Sequence, residues 1–286
     1  MDPVFRIRIT NIEGSRGIVS STNFSSVADR YLRSSLVQKS ASATLLSLLD
    51  LQPGENVLDV GCGTGNITRE IRTITNGRTT GIDLSPEMIR ECGRMFGNTG
   101  IRFMTLGAGD ISFENEFDVI FCNSTFQWFH RIDTILSRWH RALRNGGRVG
   151  IQAPATGEYC PNFISAVQEA SRSPEIGRTF SRFRSPWLFF DTADQYKECF
   201  TKNGFRVGFS RIETVESQHR PEEVFGIFST GAAAGYLDAS NYPQGIDGIF
   251  KEAFLKIIRA AFERQAGADG MVKLVFHRIY LVAHKA

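Results

Sequence analysis

The chain has 286 residues, of which 42% are hydrophobic and 22% charged. That is ordinary for a globular protein and long enough for one large domain or a domain with a smaller cap. A net charge of +3 with no Lys/Arg block excludes a nucleic-acid-binding tail and leaves a small anionic partner compatible. The cysteines (Cys62, Cys92, Cys122, Cys160 and Cys199) are scattered, with no C-x-x-C pair, which argues against a disulfide framework or a zinc site, so no metal is expected. There is no basic start followed by an apolar run, and no apolar stretch long enough to cross a bilayer. The expectation is a cytoplasmic protein with neither nucleic acid nor membrane as partner.

Residues 1–23 combine a strand-like alternation, Phe5-Arg6-Ile7-Arg8-Ile9, with a loop at Ser20-Ser21-Thr22-Asn23. From Ser26 a helical pattern runs through Val27, Tyr31, Leu36 and Val37 to Leu45, Leu46, Leu48 and Leu49, with a break expected near Ser34. This segment is placed to lie across the mouth of a binding crevice. Pro53-Gly54 turns the chain into Val57-Leu58-Asp59-Val60-Gly61-Cys62-Gly63-Thr64-Gly65, a short buried strand running into a turn with glycine at every second position. A helix follows, with Ile67, Ile71 and Ile74 expected on its buried face.

Glycine is needed where backbone takes positive φ or touches a ligand, and such a turn aims N–H groups and a helix dipole at whatever lies above it. The dinucleotide fingerprint G-x-G-x-x-G does not fit, because position 66 is Asn and the third glycine comes one residue early. Asp59 stands two residues before the first glycine. A tight strand–helix connection with no ligand is the alternative.

Thr79-Thr80-Gly81-Ile82-Asp83 reads as the second strand, ending on an acid that can accept from both hydroxyls of a ribose; a solvated loop acid is the alternative. Ser85-Pro86-Glu87 then starts a helix with Ser as N-cap and Pro at the first position. Ile101-Arg102-Phe103-Met104 is the third strand, and at its exit Asp110 is placed to accept from an adenine amino group, with Ile111 and Leu84 on the ring faces, or else is a plain turn residue. Phe117-Asp118-Val119-Ile120-Phe121 is a nearly continuous apolar strand, as in a sheet covered on both faces. It delivers Asn123-Ser124-Thr125-Phe126-Gln127-Trp128-Phe129 to the same rim. Asp133 is expected to cap a helix through Trp139 and Leu143, closed by Asn145-Gly146-Gly147, and Arg148 to Gln152 is the fifth strand. In an open parallel sheet these strand ends share one crevice at the topological switch point.

Residues 156–190 break the strand–helix rhythm with three prolines, four arginines and a run of aromatic residues, Phe180, Phe183, Trp187, Phe189 and Phe190. Thr192-Ala193-Asp194-Gln195 is a capping box for a helix ending at Asn203-Gly204, and Phe205 to Phe209 begins the sixth strand. Pro221 to Leu237 and Gly248 to Gln265 read as helices. The second carries an apolar stripe of Ile249, Phe250, Ala253, Phe254, Ile257, Ile258, Ala261 and Phe262 that should pack against the domain. Val272 to Ala283 is the last strand.

The acid-x-G-x-G-x-G turn, with Phe24 to Gln38 (FSSVADRYLRSSLVQ), Gly81 to Met88 (GIDLSPEM) and Asn123 to Phe129 (NSTFQWF), resembles the class I S-adenosylmethionine (SAM)-dependent methyltransferases. Within them it resembles the subgroup of malonyl-acyl-carrier-protein O-methyltransferases and trans-aconitate methyltransferases. The tail from Phe250 to Ala286 is more similar to the latter. The likeness covers about 24–155 and, less closely, 190–286. It implies an α/β, Rossmann-like, seven-stranded and mostly parallel sheet with helices on both faces, an antiparallel last strand and a helical cap. The division it implies is a lid segment at 1–44, a SAM-binding core at 45–155, a cap insertion at 156–190, a core helix and sixth strand at 191–217, a helical cap at 218–270 and the last core strand at 271–286.

The resemblance also implies site roles. Asp59, Gly61, Cys62, Gly63 and Gly65 would hold the methionine part of SAM, Asp83 the ribose, and Asp110 with Leu84 and Ile111 the adenine. Tyr31, Gln38 and Asn123 would approach the methionine end, and Gln127 and Trp128 the substrate side. A carboxylate nucleophile is already ionised at neutral pH and needs no base; a phenol, amine or carbon acceptor would need one, and His130 is the nearest in sequence. An anionic substrate would call for Arg, with Arg182, Arg184 and Arg220 in segments that can face the pocket. The function expected is methyl transfer to a small-molecule carboxylic acid. The alternatives are a carrier-protein malonyl thioester, an O, N or C centre of a secondary metabolite, and, from other classes, a non-catalytic SAM-binding module or an NAD enzyme.

Overall fold

The computed structural model describes residues 36–286, with side chains from residue 41 onward. Tyr31, the break near Ser34 and the alternation at Phe5–Ile9 lie outside the described residues, and Gln38 is described as backbone only. Ten α-helices, two short 3-10 helices and seven strands follow in this span, beginning with α1 (Leu36–Leu49), β1 (Val57–Val60), α2 (Asn66–Thr75), β2 (Thr79–Asp83), α3 (Pro86–Phe96), β3 (Arg102–Thr105) and β4 (Phe117–Asn123). Then come α4 (Ile132–Ala142), β5 (Leu143–Pro154), α5 (Pro161–Arg172), α6 (Gly177–Phe180), α7 (Ala193–Lys202) and β6 (Phe205–His219). The chain ends with α8 (Pro221–Thr230), α9 (Ala233–Tyr236), α10 (Gly248–Arg264) and β7 (Val272–Lys285).

The strands form one sheet in the order β3-β2-β1-β4-β5-β7-β6. β3, β2, β1, β4 and β5 pair in parallel, and β7 runs antiparallel between β5 and β6. The strand order reverses between β1 and β4, so the carboxyl ends of β1, β2 and β4 open on one crevice. β1 is buried along its whole length and β4 almost so, because helices cover both faces of a parallel sheet.

Successive side chains alternate between two cores. One face carries Val57, Val119, Phe121, Tyr280 and Val282 against Leu45 and Leu49 of α1. The other carries Leu58, Val60, Ile120, Ile151 and Leu281 against Trp139 of α4 and Phe200 of α7. Each fully buried side chain of this size stabilises by about 1.5–3 kcal/mol. A separate cluster joins α5, α8, α9 and α10 to the start of β7 through Phe163, Phe228, Tyr236, Phe254, Phe262 and Phe276.

α1 runs antiparallel to the strands it covers. Its last residue, Leu49, receives the Arg148 Nε–H on its carbonyl at the entry to β5, 2.8 Å away. Gln38 lies eleven residues earlier, about 16 Å up a helix rising 1.5 Å per residue, which puts its backbone level with the carboxyl rim.

Five local expectations change. The buried residues of α2 are Thr68, Ile71 and Thr75, and Ile74 is 42% exposed; the helix is rotated so that Thr68 meets Asp59. Asp133 does not cap α4, whose N-cap is Arg131, because its carboxylate accepts from Asn203 Nδ2 at the end of α7 instead. Asn145-Gly146-Gly147 forms an irregularity inside β5, with Gly146 at φ 78° and a register shift against β4. The expected helix from Pro221 to Leu237 divides at Gly231 (φ −124°, ψ −88°) into α8 and α9. On α10 the stripe packs as expected except at its first position, where Ile249 is 73% exposed.

Candidate functional site

The glycine turn after β1 is held from below and open above. Gly61 takes φ 76°, and a Cβ there would lie 2.1 Å from Thr125 Oγ1 in the segment leaving β4. Gly65 takes φ 81°, and a Cβ there would press to 3.0 Å from Cys92 Sγ and the Phe103 ring. Gly63, between them, has φ 54° and nothing within 4 Å of where a Cβ would be. Two glycines therefore seat the turn, and the third leaves main chain facing empty space, which is the form of a cradle for a ligand.

Asp83, at the end of β2, locks the turn to its neighbour strand. Its Oδ2 accepts the Gly63 N–H at 3.0 Å and its Oδ1 the Ser85 N–H at 2.9 Å. Burial raises its pKa, opposed by these backbone hydrogen bonds. Each carboxylate oxygen can still accept another hydrogen bond, as two ribose hydroxyls require. Leu84 beside it is 40% exposed, one of three large exposed hydrophobic side chains among the described residues. Ser85 caps α3 by accepting from the Met88 N–H.

Asp59 lies beneath the turn, 2% exposed, and accepts a 2.6 Å hydrogen bond from Thr68 Oγ1. Burial pushes its pKa up to about 7, the Thr68 bond opposes this, and the Asp83 charge adds to it. Cys62 is buried next to Cys92, and Cys92 Sγ donates to the Gly63 carbonyl at 3.1 Å. Asp110 is exposed on its turn. Ile111, 1% exposed, packs into the core, so its side chain is committed there.

At the exit of β4 the backbone is strained. Ser124 has φ 55°, a left-handed conformation that costs a non-glycine residue free energy. It is fixed by its N–H to the Gln152 carbonyl (2.8 Å) and its Oγ–H to Gln152 Oε1 (3.0 Å). The strain directs Asn123 and Gln127 inward: they are 9% and 8% exposed, and the buried Asn123 Oδ1 and Gln127 Oε1 have no hydrogen-bond partner. Gln127 Nε2 donates to the Ser124 carbonyl at 3.0 Å. Unpaired buried acceptors are costly, and they suit a cationic ligand.

The segment after α6 is tied to this rim, with the Leu188 N–H donating to the Gln127 carbonyl at 2.7 Å. Trp128 and Trp187 meet edge to face at 5.6 Å, Trp187 and Tyr236 at 4.8 Å, and Tyr159 stacks on Phe189 at 5.1 Å. His130 is exposed, and partial burial lowers its pKa. Arg182, Arg184 and Arg220 are all exposed, and the Arg220 N–H donates to Glu223.

The structure thus brings Asp59, Gly61–Gly65, Asp83, Leu84, Asn123, Gln127 and Trp128 around one crevice and leaves the three arginines on the surface. A cavity of about 510 Å³ lies elsewhere, on the opposite sheet face by Thr156, Asp191, Ser210, Ile212 and His277. One buried group at the rim escaped sequence reasoning: Arg278, in β7, 4% exposed. Its signal is the alternation Val272, Leu274, Phe276, Arg278, Tyr280, Val282, in which a cation occupies a position that should be apolar.

Residues 57–147 match the family described as a methyltransferase domain. A malonyl-[acyl-carrier protein] O-methyltransferase of Acetivibrio thermocellus is 25% identical, covering 92% of each chain. A trans-aconitate 2-methyltransferase of Rhodopseudomonas palustris is 27% identical over 90% of this chain and 98% of that one. Among solved structures, a geranyl diphosphate C-methyltransferase of Streptomyces coelicolor shares the fold, with TM-score 0.52, 13% identity and coverage of 87% of this chain and 78% of that one. Among the described residues, no helix is long and apolar enough to cross a membrane.

Proposed function

We propose that this chain, an S-adenosylmethionine-dependent methyltransferase, methylates a carboxylate oxygen of a small organic acid in the cytoplasm. The cofactor fits the residues present: Gly63 leaves the space above the turn open, Asp83 offers a carboxylate beside it, and the unpartnered Asn123 Oδ1 and Gln127 Oε1 suit a cation. When bound, SAM supplies a methyl group on a sulfonium that is already an activated leaving group. The Gly61–Gly65 turn would hold its methionine part, with Asp59 beneath, and Asp83 the ribose. Asp110 and Leu84 would border the adenine. Tyr31 and Gln38 would close on the methionine end from the lid side.

One observation carries the choice of nucleophile. The segment that faces the crevice from β4, Asn123 to Phe129, contains amides, hydroxyls and aromatic rings but no acid, lysine or histidine. Such a rim can position an acceptor and exclude water, but it cannot remove a proton from a phenol or an ammonium group. A carboxylate needs no such help. Rate then rests on alignment, with the oxygen held in line at roughly 3 Å from the methyl carbon. His130, exposed and next to this segment, is the nearest base in sequence, and the reading assigns it no proton transfer. A carrier-bound malonyl group presents the same carboxylate chemistry, and the likeness to the Acetivibrio thermocellus protein keeps it as the second reading. Both readings share the nucleophile and differ in what the carboxylate is attached to.

Incubation with methyl-labelled SAM and a panel of acids, phenols and amines tests this. Methyl esters of free acids are the expected product. Preferential labelling of a phenol or amine would overturn the proposal, and labelling of malonyl carrier protein alone would favour the second reading.

A further inference from the structure

The sheet ends on one side in a long strand with an open edge. β6 is last in the strand order and pairs with β7, from Phe205 opposite Lys285 to His219 opposite Val272. Among the described residues, its main chain hydrogen-bonds to nothing but β7. In an antiparallel pair, alternate residues turn both N–H and C=O away from the neighbouring strand. The other side of β6 therefore presents a row of donors and acceptors. The preceding helix, α7, covers a sheet face and not this edge, since its Tyr196 and Phe200 join the core beside Ile279 and Leu281.

Such edges are generally blunted by shortness, lysine, proline or a bulge. β6 has one irregularity, a register shift between Val207 and Phe209 near its start. From Phe209 to His219 it pairs without a break and contains neither lysine nor proline. At roughly 3.4 Å per residue that run is about 34 Å long, well beyond the common strand of about five or six residues. It is a template that some other strand can join.

The charges on the run say which strand. Arg211 and Glu213 share one face, and the Arg211 Nε–H donates to Glu213 Oε1 at 2.9 Å. The Arg211 guanidinium carbon also lies 5.6 Å from the Phe209 ring centre. Its side chain is nevertheless 66% exposed, and an ion pair this open contributes little within one chain. Glu216 is already engaged by Lys273 of β7 at 2.8 Å.

Reading outward from Ile212, the flanking residues are Arg211 and Glu213, then Ser210 and Thr214, then Phe209 and Val215. The run is thus complementary to itself. Two copies paired antiparallel about a two-fold axis at Ile212 set Arg211 of each against Glu213 of the other. Phe209 then faces Val215, Ser210 faces Thr214, and the two Ile212 side chains meet. An axis one residue to either side would set Arg211 against Arg211 or Glu213 against Glu213, and like charges directly opposite are destabilising. Charge therefore selects both the partner and the register. A two-fold contact is isologous, so it closes at a dimer.

We propose that β6 is a homodimer interface, at which a second copy of this chain pairs edge to edge about Ile212 and the two sheets become one. Main-chain hydrogen bonds supply the contact, and the crossed Arg211–Glu213 pairs fix its register. β6 lies at the other end of the sheet from β1 and β2, so both crevices stay open in the pair, whatever acceptor they take.

Sedimentation velocity on the full chain tests this. Wild type should run as a dimer at about 100 μM. Arg211→Glu turns both crossed pairs repulsive and should weaken association at least about tenfold, with the melting temperature unchanged. Arg211→Glu combined with Glu213→Arg should recover the dimer. So should an equal mixture of the two single variants, in which each reversed charge meets its complement in the other chain. Glu213 also stands opposite Arg278 in β7, so Glu213→Arg can lower the melting temperature; wild type and Arg211→Glu decide the interface without it. A monomeric wild type overturns the proposal, whether its edge is bare or taken up by another part of the chain. A dimer that survives Arg211→Glu overturns it too, as does failure of the two folded single variants to associate on mixing.

Discussion

In the glycine cradle, the groups set to meet the ligand are main-chain atoms and short acids, and neighbours only two strands away fix them. Thr125 excludes a side chain at Gly61, Asp83 holds the Gly63 N–H, and Thr68 holds Asp59. In the cap, the wall is made of large rings packed on one another, with Trp128, Trp187, Tyr236, Phe228 and Phe254 in a continuous chain of contacts. On the proposed function the cradle would meet parts that every SAM molecule presents, in keeping with its tight, local geometry. On the proposed function the cap would enclose the acceptor, and its wall is built of side chains packed on one another and on the start of β7. The two regions also have separate cores, so damage to one should leave the other measurable.

The strongest way to break that separation is Phe254→Ala. The ring is fully buried and contacts Phe180, Tyr236 and Phe250 at 5.8, 5.8 and 6.2 Å. Its removal should cost about 3–5 kcal/mol, read by urea unfolding, while the SAM dissociation constant by calorimetry changes less than about twofold. Loss of SAM binding in a variant that is still folded would mean that cap and cradle are one unit.

A sharper test within the cradle compares Gly61→Ala with Gly63→Ala. Both place an L-residue at positive φ, at about 1–2 kcal/mol. Only at Gly61 does the new methyl meet a neighbour, Thr125 Oγ1 at 2.1 Å, whereas at Gly63 the space is open. Gly61→Ala should therefore lower the melting temperature and abolish SAM binding together. Gly63→Ala should keep most of the melting temperature and weaken SAM binding at least tenfold, because its methyl points where the ligand goes. Equal melting losses in the two variants would refute the division into seated and open glycines.

How far each region could be read from sequence follows from the same contrast. β2 and its exit were legible to the residue: Thr79 to Asp83, the Ser85 cap and Pro86 are local signals whose partners lie within a few positions. The capping box at Thr192–Gln195 was legible for the same reason. Asp133 was misread because its partner, Asn203, belongs to a distant helix. Ile74 was misplaced because apolar periodicity cannot show that the buried stripe must bring Thr68 to Asp59. Arg182 and Arg184 drew attention by lying in an irregular, arginine-rich stretch, yet both are exposed. Arg278 looked like part of an ordinary strand, because the groups that make it a rim residue come from β4, β5 and α5, which only the sheet order brings together.

The smallest effect concerns Asp59 and separates what the cradle owes to charge from what it owes to shape. Its pKa is raised from 3.8 to about 7, chiefly by burial, so between those values the folded chain binds more protons than the unfolded one. Stability from this group is therefore full below about pH 4, falls as pH rises, and levels off above about 7, at a slope of no more than about 1.4 kcal/mol per pH unit. Asp59→Asn keeps an oxygen to accept from Thr68 and removes the titration. The stability of wild type minus that of Asp59→Asn should accordingly fall from pH 4.5 to 7 in urea titrations and be flat from 7 to 8. SAM adds positive charge above this carboxylate and favours its ionised form, so binding should release a proton near pH 6.5 in wild type and not in Asp59→Asn. Calorimetry in two buffers of different ionisation enthalpy reads that proton directly. Parallel stability curves with no proton release would show that Asp59 holds the turn by shape and hydrogen bonding alone.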